Sequence, residues 1–149
     1  MITIERTTSE NIDFRGLVRE LDKDLAIRDG DEHDFFHQFN KIDMLKQVVV
    51  AYKDGVPAGC GAVKPYDDKT MEVKRMFVPQ EYRGQGIAAL VLQDLEQWSS
   101  ELGFDKCILE TGIKMPEAIR LYQKSGYRQI PNYGQYAGVE SSVCFEKLL

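Results

Sequence analysis

The sequence predicts an α/β fold of the α+β kind, a mixed central sheet of about seven strands flanked by helices, with residues 1–149 forming one domain. Three observations predict it. Residues 47–78 read as three strands separated by tight turns, an antiparallel meander. Two apolar runs of strand length, 71–78 and 106–110, are joined by a long helical pattern, and such a crossover makes them parallel neighbours. A second helical segment then leads to two further short strands, which extend the sheet.

Composition narrows the function. With 43% hydrophobic and 29% charged residues the chain falls in the soluble globular class. No apolar run approaches the roughly 20 residues of a membrane span, so no membrane partner is expected. The N-terminal stretch MITIERTTSE has neither a basic n-region nor an apolar core, and a cytoplasmic location is expected. A net charge of −5 argues against a nucleic-acid partner and is compatible with a cationic substrate. Cys60, Cys107 and Cys144 are odd in number and far apart among strand-like neighbours, the pattern of reduced core thiols. His33 and His37 have no further Cys or His nearby, so no metal is expected.

The elements follow in order. Residues 2–6 alternate apolar and polar and form a first strand. Ser9 is a plausible N-cap for a helix carried by Ile12, Leu17, Val18, Leu21 and Leu25 to about Ile27, broken at Asp29-Gly30. A shorter helix over 31–40 carries Phe35, Phe36 and Phe39, an aromatic stripe that reads as core. Strand 47–53 turns at Asp54-Gly55, a pair that supplies the positive φ of a tight hairpin. In strand 58–64, Gly59 and Gly61 mark a bulge or a close approach. After a turn at 65–69, strand 71–78 is stopped by Pro79, which lacks the donor needed to continue pairing.

Next comes Arg83-Gly84-Gln85-Gly86-Ile87-Ala88, opening a helix whose face is Ile87, Leu90, Val91, Asp94, Leu95 and Trp98. The first N–H groups of a helix have no internal partner and carry about half a positive charge. Glycine there removes the Cβ that would keep a phosphate away, and Arg83 adds a fixed charge, so a pyrophosphate would fit. The loop is not a P-loop, because no G-K-[ST] follows, and not the dinucleotide fingerprint, because Ala89 stands at its third glycine. Gly103 stops the helix, 106–110 is a strand, and Pro116 starts a helix over 115–125 with Gly126 at its end. Strands 127–130 and 141–147 close the chain around a Gly- and aromatic-rich loop, 131–138.

Residues 83–88 resemble motif A of the GNAT superfamily of acyl-CoA-dependent N-acetyltransferases, R/Q-x-x-G-x-G/A, with Arg83, Gly86 and Ala88 in the defined places. A second segment, Ala118, then Leu121-Tyr122, Lys124, Gly126 and Tyr127, is similar to the family's A-x-x-L-Y-x-K-x-G-F/Y. The element order resembles the GNAT acyl-CoA N-acyltransferase fold over almost the whole chain. One departure is Met115, where many members carry an Asn that helps to hold the cofactor arm.

The resemblance implies transfer of an acetyl group from acetyl-CoA, a co-substrate, to a primary amine by direct attack through a tetrahedral intermediate, with no metal. It implies cofactor contacts from Met76, Phe77, Val78, Arg83, Gly84, Gln85, Gly86, Ile87, Ala88 and Lys124, those of Met76 and Val78 through the backbone. Tyr122 takes the place of the family's acid for the leaving thiolate, and Glu72 that of the glutamate base of histone-acetylating members. Alternation would put Glu72, Lys74 and Met76 on one face. The alternative for Glu72 is a solvated strand-end carboxylate, with a water chain acting in place of a single base; for Tyr122 the alternative is core packing with Ile119. Acceptor choice is expected from Arg28, Asp29, Glu32, His33, Tyr133 and Tyr136, which could line a polar pocket for a small molecule or amino acid. A protein lysine or N-terminus is the other acceptor class, and a catalytically silent acyl-CoA sensor or scaffold the other function class. The chain is expected as a monomer or homodimer.

Overall fold

A computed structural model describes residues 1–29 and 44–149, with the side chains of Arg28 and Asp29 outside the description. The helix predicted over 31–40, with its aromatic stripe, lies outside the described residues, as do Glu32, His33 and His37. The elements are β1 (Ile2–Thr7), α1 (Ile12–Asp29), β2 (Gln47–Lys53), β3 (Val56–Pro65), β4 (Thr70–Phe77), α2 (Ile87–Glu101), β5 (Lys106–Gly112), α3 (Pro116–Lys124), β6 (Arg128–Ile130) and β7 (Ser142–Leu148). The seven strands form one sheet in the order β1-β2-β3-β4-β5-β7-β6. Among the described residues only β4 and β5 run parallel; the other neighbours are antiparallel. The meander, the crossover and the mixed sheet are as the sequence predicts.

Ser9 does not cap α1. Its N–H is bonded to the Leu45 carbonyl at 2.9 Å, and Asn11 caps instead, its Oδ1 accepting from the Phe14 N–H at 2.9 Å. Asn and Ser are equally good caps, so preference alone could not choose between two residues this close.

Both faces of the sheet are covered, which explains why Val48, Val49 and Val50 are all fully buried. Val48 and Val50 pack with Cys60 and Ala62 against Phe14, Leu17 and Val18 of α1. Val49 joins Val63, Met71 and Val73 against Ile87, Val91, Leu92 and Leu95 of α2. Arg6 ties α2 to the edge strand, bonded to Asp94 and Glu101 with its guanidinium 4.9 Å from the Trp98 ring centroid.

Gly61 sets how closely α2 lies on β3. A Cβ there would stand 2.5 Å from Met76 Sδ, 2.9 Å from Leu95 Cδ1 and 3.0 Å from Val91 Cγ1. Gly61→Ala is therefore expected to destabilise by about 1–3 kcal/mol, the usual cost of overpacking a filled core. Urea denaturation reads this as a lower midpoint at constant slope; a midpoint equal to the parent's would show that the helix can move aside.

The feature of β4 that matters for the site is a bulge. Its register with β3 runs Lys64↔Glu72, Val63↔Val73 and Ala62↔Lys74, then shifts so that Cys60 meets Phe77. The extra residue falls beside Arg75, which sits at φ 60. Past this point the alternation inverts. Met76 turns toward α2, where its sulfur meets the Gly61 position, rather than sharing a face with Glu72 and Lys74 as strict alternation predicts. Arg75 turns to the α1 side instead, where its Nη1 donates to Asp22 Oδ1 at 2.7 Å.

Candidate active site

Pairing between β4 and β5 covers only Thr70↔Lys106, Met71↔Cys107 and Glu72↔Ile108. Beyond it β4 runs on to Phe77 and β5 to Gly112 without meeting, so the centre of the sheet splays open. Two cavities occupy the opening. A groove of about 480 Å³ runs between the end of β4, the start of α2 and the length of α3. A smaller pocket of about 100 Å³ lies between the splayed strands and the C-terminal half of α1. Leu21, Met76, Met115, Ala118 and Tyr122 line both, so the two cavities meet at these side chains.

The groove ends on the glycine loop. After the single 3-10 turn Gln80–Tyr82, Arg83 Nε donates to the Val78 carbonyl at 2.9 Å, which fixes the guanidinium against the strand end. Gly84 and Gly86 have φ 78 and 79, and a Cβ on either would meet no atom within 4 Å. Gly86 is itself the N-cap of α2, with no side-chain capping bond and no acidic residue in the first turn. The helix therefore presents its partial positive charge to an open space, the condition for anion binding. Met76, Phe77, Val78, Arg83, Gly84, Gly86, Ile87, Ala88 and Lys124 all line the groove. Gln85 does not; its side-chain oxygen is taken by Lys53.

Met115 occupies the N-cap of α3 without a side-chain bond, and the Ala118 and Ile119 N–H groups are bonded to its carbonyl. Its side chain lines both cavities, so an apolar wall stands where a polar arm is common. Tyr122 is 6% exposed, with its ring 5.8 Å from Tyr127 in an edge arrangement and 6.2 Å from Phe145. The ring is thus core, as the packing alternative holds. The side chain borders both cavities. Burial, helped by the Glu110 carboxylate, pushes the phenol above its ordinary value, so it holds its proton at neutral pH.

Glu72 is not a solvated strand-end carboxylate. It is 5% exposed and lines the smaller pocket. The Tyr133 hydroxyl donates to Glu72 Oε2 at 2.7 Å, and Lys74 Nζ stands 3.9 Å from the same oxygen. Burial first, then the Glu72 charge, raises the Tyr133 phenol far above its ordinary value. Tyr133 is held edge-on between Tyr66 at 5.3 Å and Tyr136 at 5.8 Å. Asn132 Nδ2 pins the loop by donating to the Val139 and Ser142 carbonyls at 2.9 and 3.1 Å. Of the residues predicted to receive the acceptor, Tyr136 lines the pocket and Tyr133 reaches it through Glu72. The Arg28 side chain, Glu32 and His33 lie outside the described residues.

Sequence reasoning missed Glu110, Arg75 and the pocket role of Lys74. Glu110 lies two residues beyond Ile108, the partner of Glu72, so alternation along β5 places it on the Glu72 face. It accepts from Ser142 Oγ at 2.8 Å and lines the pocket. The parallel register would have found it. Lys74 has a side chain 10% exposed, and burial pushes its ammonium below the ordinary lysine value despite Glu72. Among the described residues no group of His, Cys, Asp and Glu gathers as a metal site would require.

A mixed sheet that splays at its one parallel pair, with a glycine-capped helix at the mouth, defines the acyl-CoA-dependent acyltransferase class. The chain belongs to the acetyltransferase (GNAT) family, whose model matches residues 14–127, and is an acetyl-CoA-dependent N-acetyltransferase. It is 34% identical over 102 residues to the IAA acetyltransferase of Azospirillum brasilense, covering 68% of this chain and 67% of that protein. Among solved structures it is similar to a Klebsiella pneumoniae chain assigned as an acyl-CoA N-acyltransferase, with TM-score 0.82 and 25% identity over 100% of this chain and 98% of that one. A GNAT acetyltransferase of Elizabethkingia anophelis, solved with acetyl-CoA bound, shares the fold at TM-score 0.69 and 20% identity over 99% and 98% of the two chains.

Proposed function

We propose that the chain acetylates the primary amine of a small molecule, with acetyl-CoA in the larger groove and the acceptor in the smaller pocket. The observation that carries this reading is the junction of the two cavities at Tyr122 and Met76. Bound there, acetyl-CoA supplies an activated thioester carbonyl and a thiolate leaving group. The open N–H groups of α2, with Arg83 beside them, would hold its diphosphate, and the β4 end from Met76 to Val78 its extended arm. A pocket of about 100 Å³, bordered by Tyr136 and the pinned 131–139 loop, suits a small acceptor better than a protein tail.

The acceptor must shed a proton to react. An amine of pKa about 10.4 costs about 4.6 kcal/mol to deprotonate at pH 7. Glu72, buried and fixed by Tyr133, is the base in this reading, and Tyr122, held protonated, is the acid. An acetyl-CoA consumption assay over a panel of small amines tests the function: turnover upholds it, whereas acetyl-CoA binding without turnover across the panel replaces it with a silent sensor.

Glu72→Gln is expected to cut kcat/KM by about 100-fold or more near pH 7, within the range for general base catalysis. The deficit should narrow toward pH 10, because the acceptor then arrives already deprotonated. A pH profile parallel to the parent's would make Glu72 structural and leave deprotonation to water.

A further inference from the structure

We infer that the acyl seat takes propionyl as well as acetyl, so that propionyl-CoA is a second donor, and that Met76, drawn back over Gly61, sets the longest acyl group accepted. The inference rests on the reading of the larger groove as the acyl-CoA site.

Transfer happens where the donor groove meets the acceptor pocket, so the side chains common to both cavities bound the acyl group. They are Leu21, Met76, Met115, Ala118 and Tyr122. Apart from the Tyr122 hydroxyl this wall is apolar, which suits a hydrocarbon tail. Two of the five are methionines. An unbranched thioether with three rotatable bonds yields to a guest where a branched or aromatic wall holds its place.

The glycines of β3 make the room. A Cβ on Gly61 would stand 2.5 Å from Met76 Sδ, and one on Gly59 would stand 2.7 Å from Ile87 Cγ2 and 3.2 Å from Val78 Cγ2. Met76, Val78 and Ile87 all line the larger groove. These three side chains therefore sink into space that any other residues at 59 and 61 would fill, which deepens the groove along the end of β4. The bulge beside Arg75 turns Met76 to this side, and its sulfur rests over Gly61. Across the splay a Cβ on Gly112 would meet Met115 Cγ at 3.9 Å, an ordinary contact, so Met115 is not crowded from β5.

An acetyl-only seat needs a wall that resists one more methylene. Here that wall is a flexible side chain already withdrawn, and each methylene buried against it contributes about fourfold in affinity. The chemistry is the same for either donor. The amine nitrogen bonds to the acyl carbon and gives up one proton, the C–S bond breaks with its electron pair on sulfur, and the thiolate gains one proton. No further reactant is needed.

The test compares acetyl-, propionyl- and butyryl-CoA, by kcat/KM with one primary amine from the panel above and by calorimetric affinity without acceptor. In the parent, propionyl-CoA is expected within tenfold of acetyl-CoA in kcat/KM and to bind at least as tightly. Met76→Ala, which removes the wall, should raise the butyryl-to-acetyl ratio tenfold or more. Gly61→Ala, at a residue that lines neither cavity, should push the sulfur forward and lower the propionyl-to-acetyl ratio tenfold or more. Adding Met76→Ala to it should restore that ratio. Each ratio is taken within one protein, so a loss of stability cancels. Propionyl transfer more than tenfold below acetyl transfer in the parent overturns the inference and leaves acetyl transfer standing. Ratios that Met76→Ala leaves at the parent value overturn the role of Met76. Binding that follows these ratios without turnover of any donor upholds the acyl seat and overturns transfer. Absence of acyl-CoA binding overturns both.

Discussion

Gly86→Asp is expected to weaken CoA and acetyl-CoA binding by on the order of a hundredfold or more, about 2.7 kcal/mol, while the protein stays folded. Gly86 is at φ 79 and caps α2, and a Cβ on it meets no atom within 4 Å. Asp is among the few residues that visit this left-handed region, and the backbone strain costs about 1–2 kcal/mol of stability. Its effect on binding is local and electrostatic. The new carboxylate engages the N–H groups that the diphosphate would use and sets a negative charge where negative charge has to bind. Gly86→Ala separates the two contributions, because it adds the Cβ and the backbone strain without the charge, and should lose far less affinity. Calorimetric titration with CoA reads both variants directly. Parent-like affinity in a folded Gly86→Asp protein would move the diphosphate away from this loop.

The loop was legible in the sequence because everything that makes it work is local. Pro79 ends the strand, the glycines accept left-handed backbone, and the apolar three-and-four spacing from Ile87 to Trp98 starts the helix. The same holds for the Asp54-Gly55 hairpin, with φ 51 and 82, and for the Pro116 start of α3. What sequence could not supply depends on registers between strands. The bulge at Arg75 arises from how β4 meets β3, and nothing in the string VKRMF marks the extra residue. One misplaced residue reverses every later side chain, which is why Met76 moved from the Glu72 face to the α2 side. Glu110 was hidden for the same reason, since its approach to Glu72 follows from the short parallel pairing of β4 with β5. Tyr133 was placed in the pocket region by its loop, but its bond to Glu72 spans 61 positions of sequence. Local chemistry was readable; the convergence of charges from two strands was not.

Tyr122→Phe is expected to lower kcat tenfold or more with little change in acetyl-CoA affinity or thermal stability. The packing argument and the catalytic argument concern different atoms of this residue. The ring is 6% exposed, set against Tyr127 and Phe145, and phenylalanine keeps all of that. The side chain borders both cavities, so removal of one oxygen there leaves the packing of the ring in place. A fall in rate with an unchanged melting temperature therefore isolates the hydroxyl's chemistry. The direction of the phenol's shift supports a donor role. Burial and Glu110 raise it above its ordinary value, which keeps the proton on oxygen through neutral pH and makes it available as negative charge develops on the leaving sulfur. The proton must afterwards return, and Glu110, whose charge reaches the phenol and which lines the smaller pocket with it, is the candidate to relay it. Single-turnover kinetics should show the loss in the chemical step; if it appears only in product release, Tyr122 governs departure of the thiol. A phenylalanine enzyme that turns over at the parent rate would leave the thiolate to water or backbone N–H groups and reduce Tyr122 to its ring.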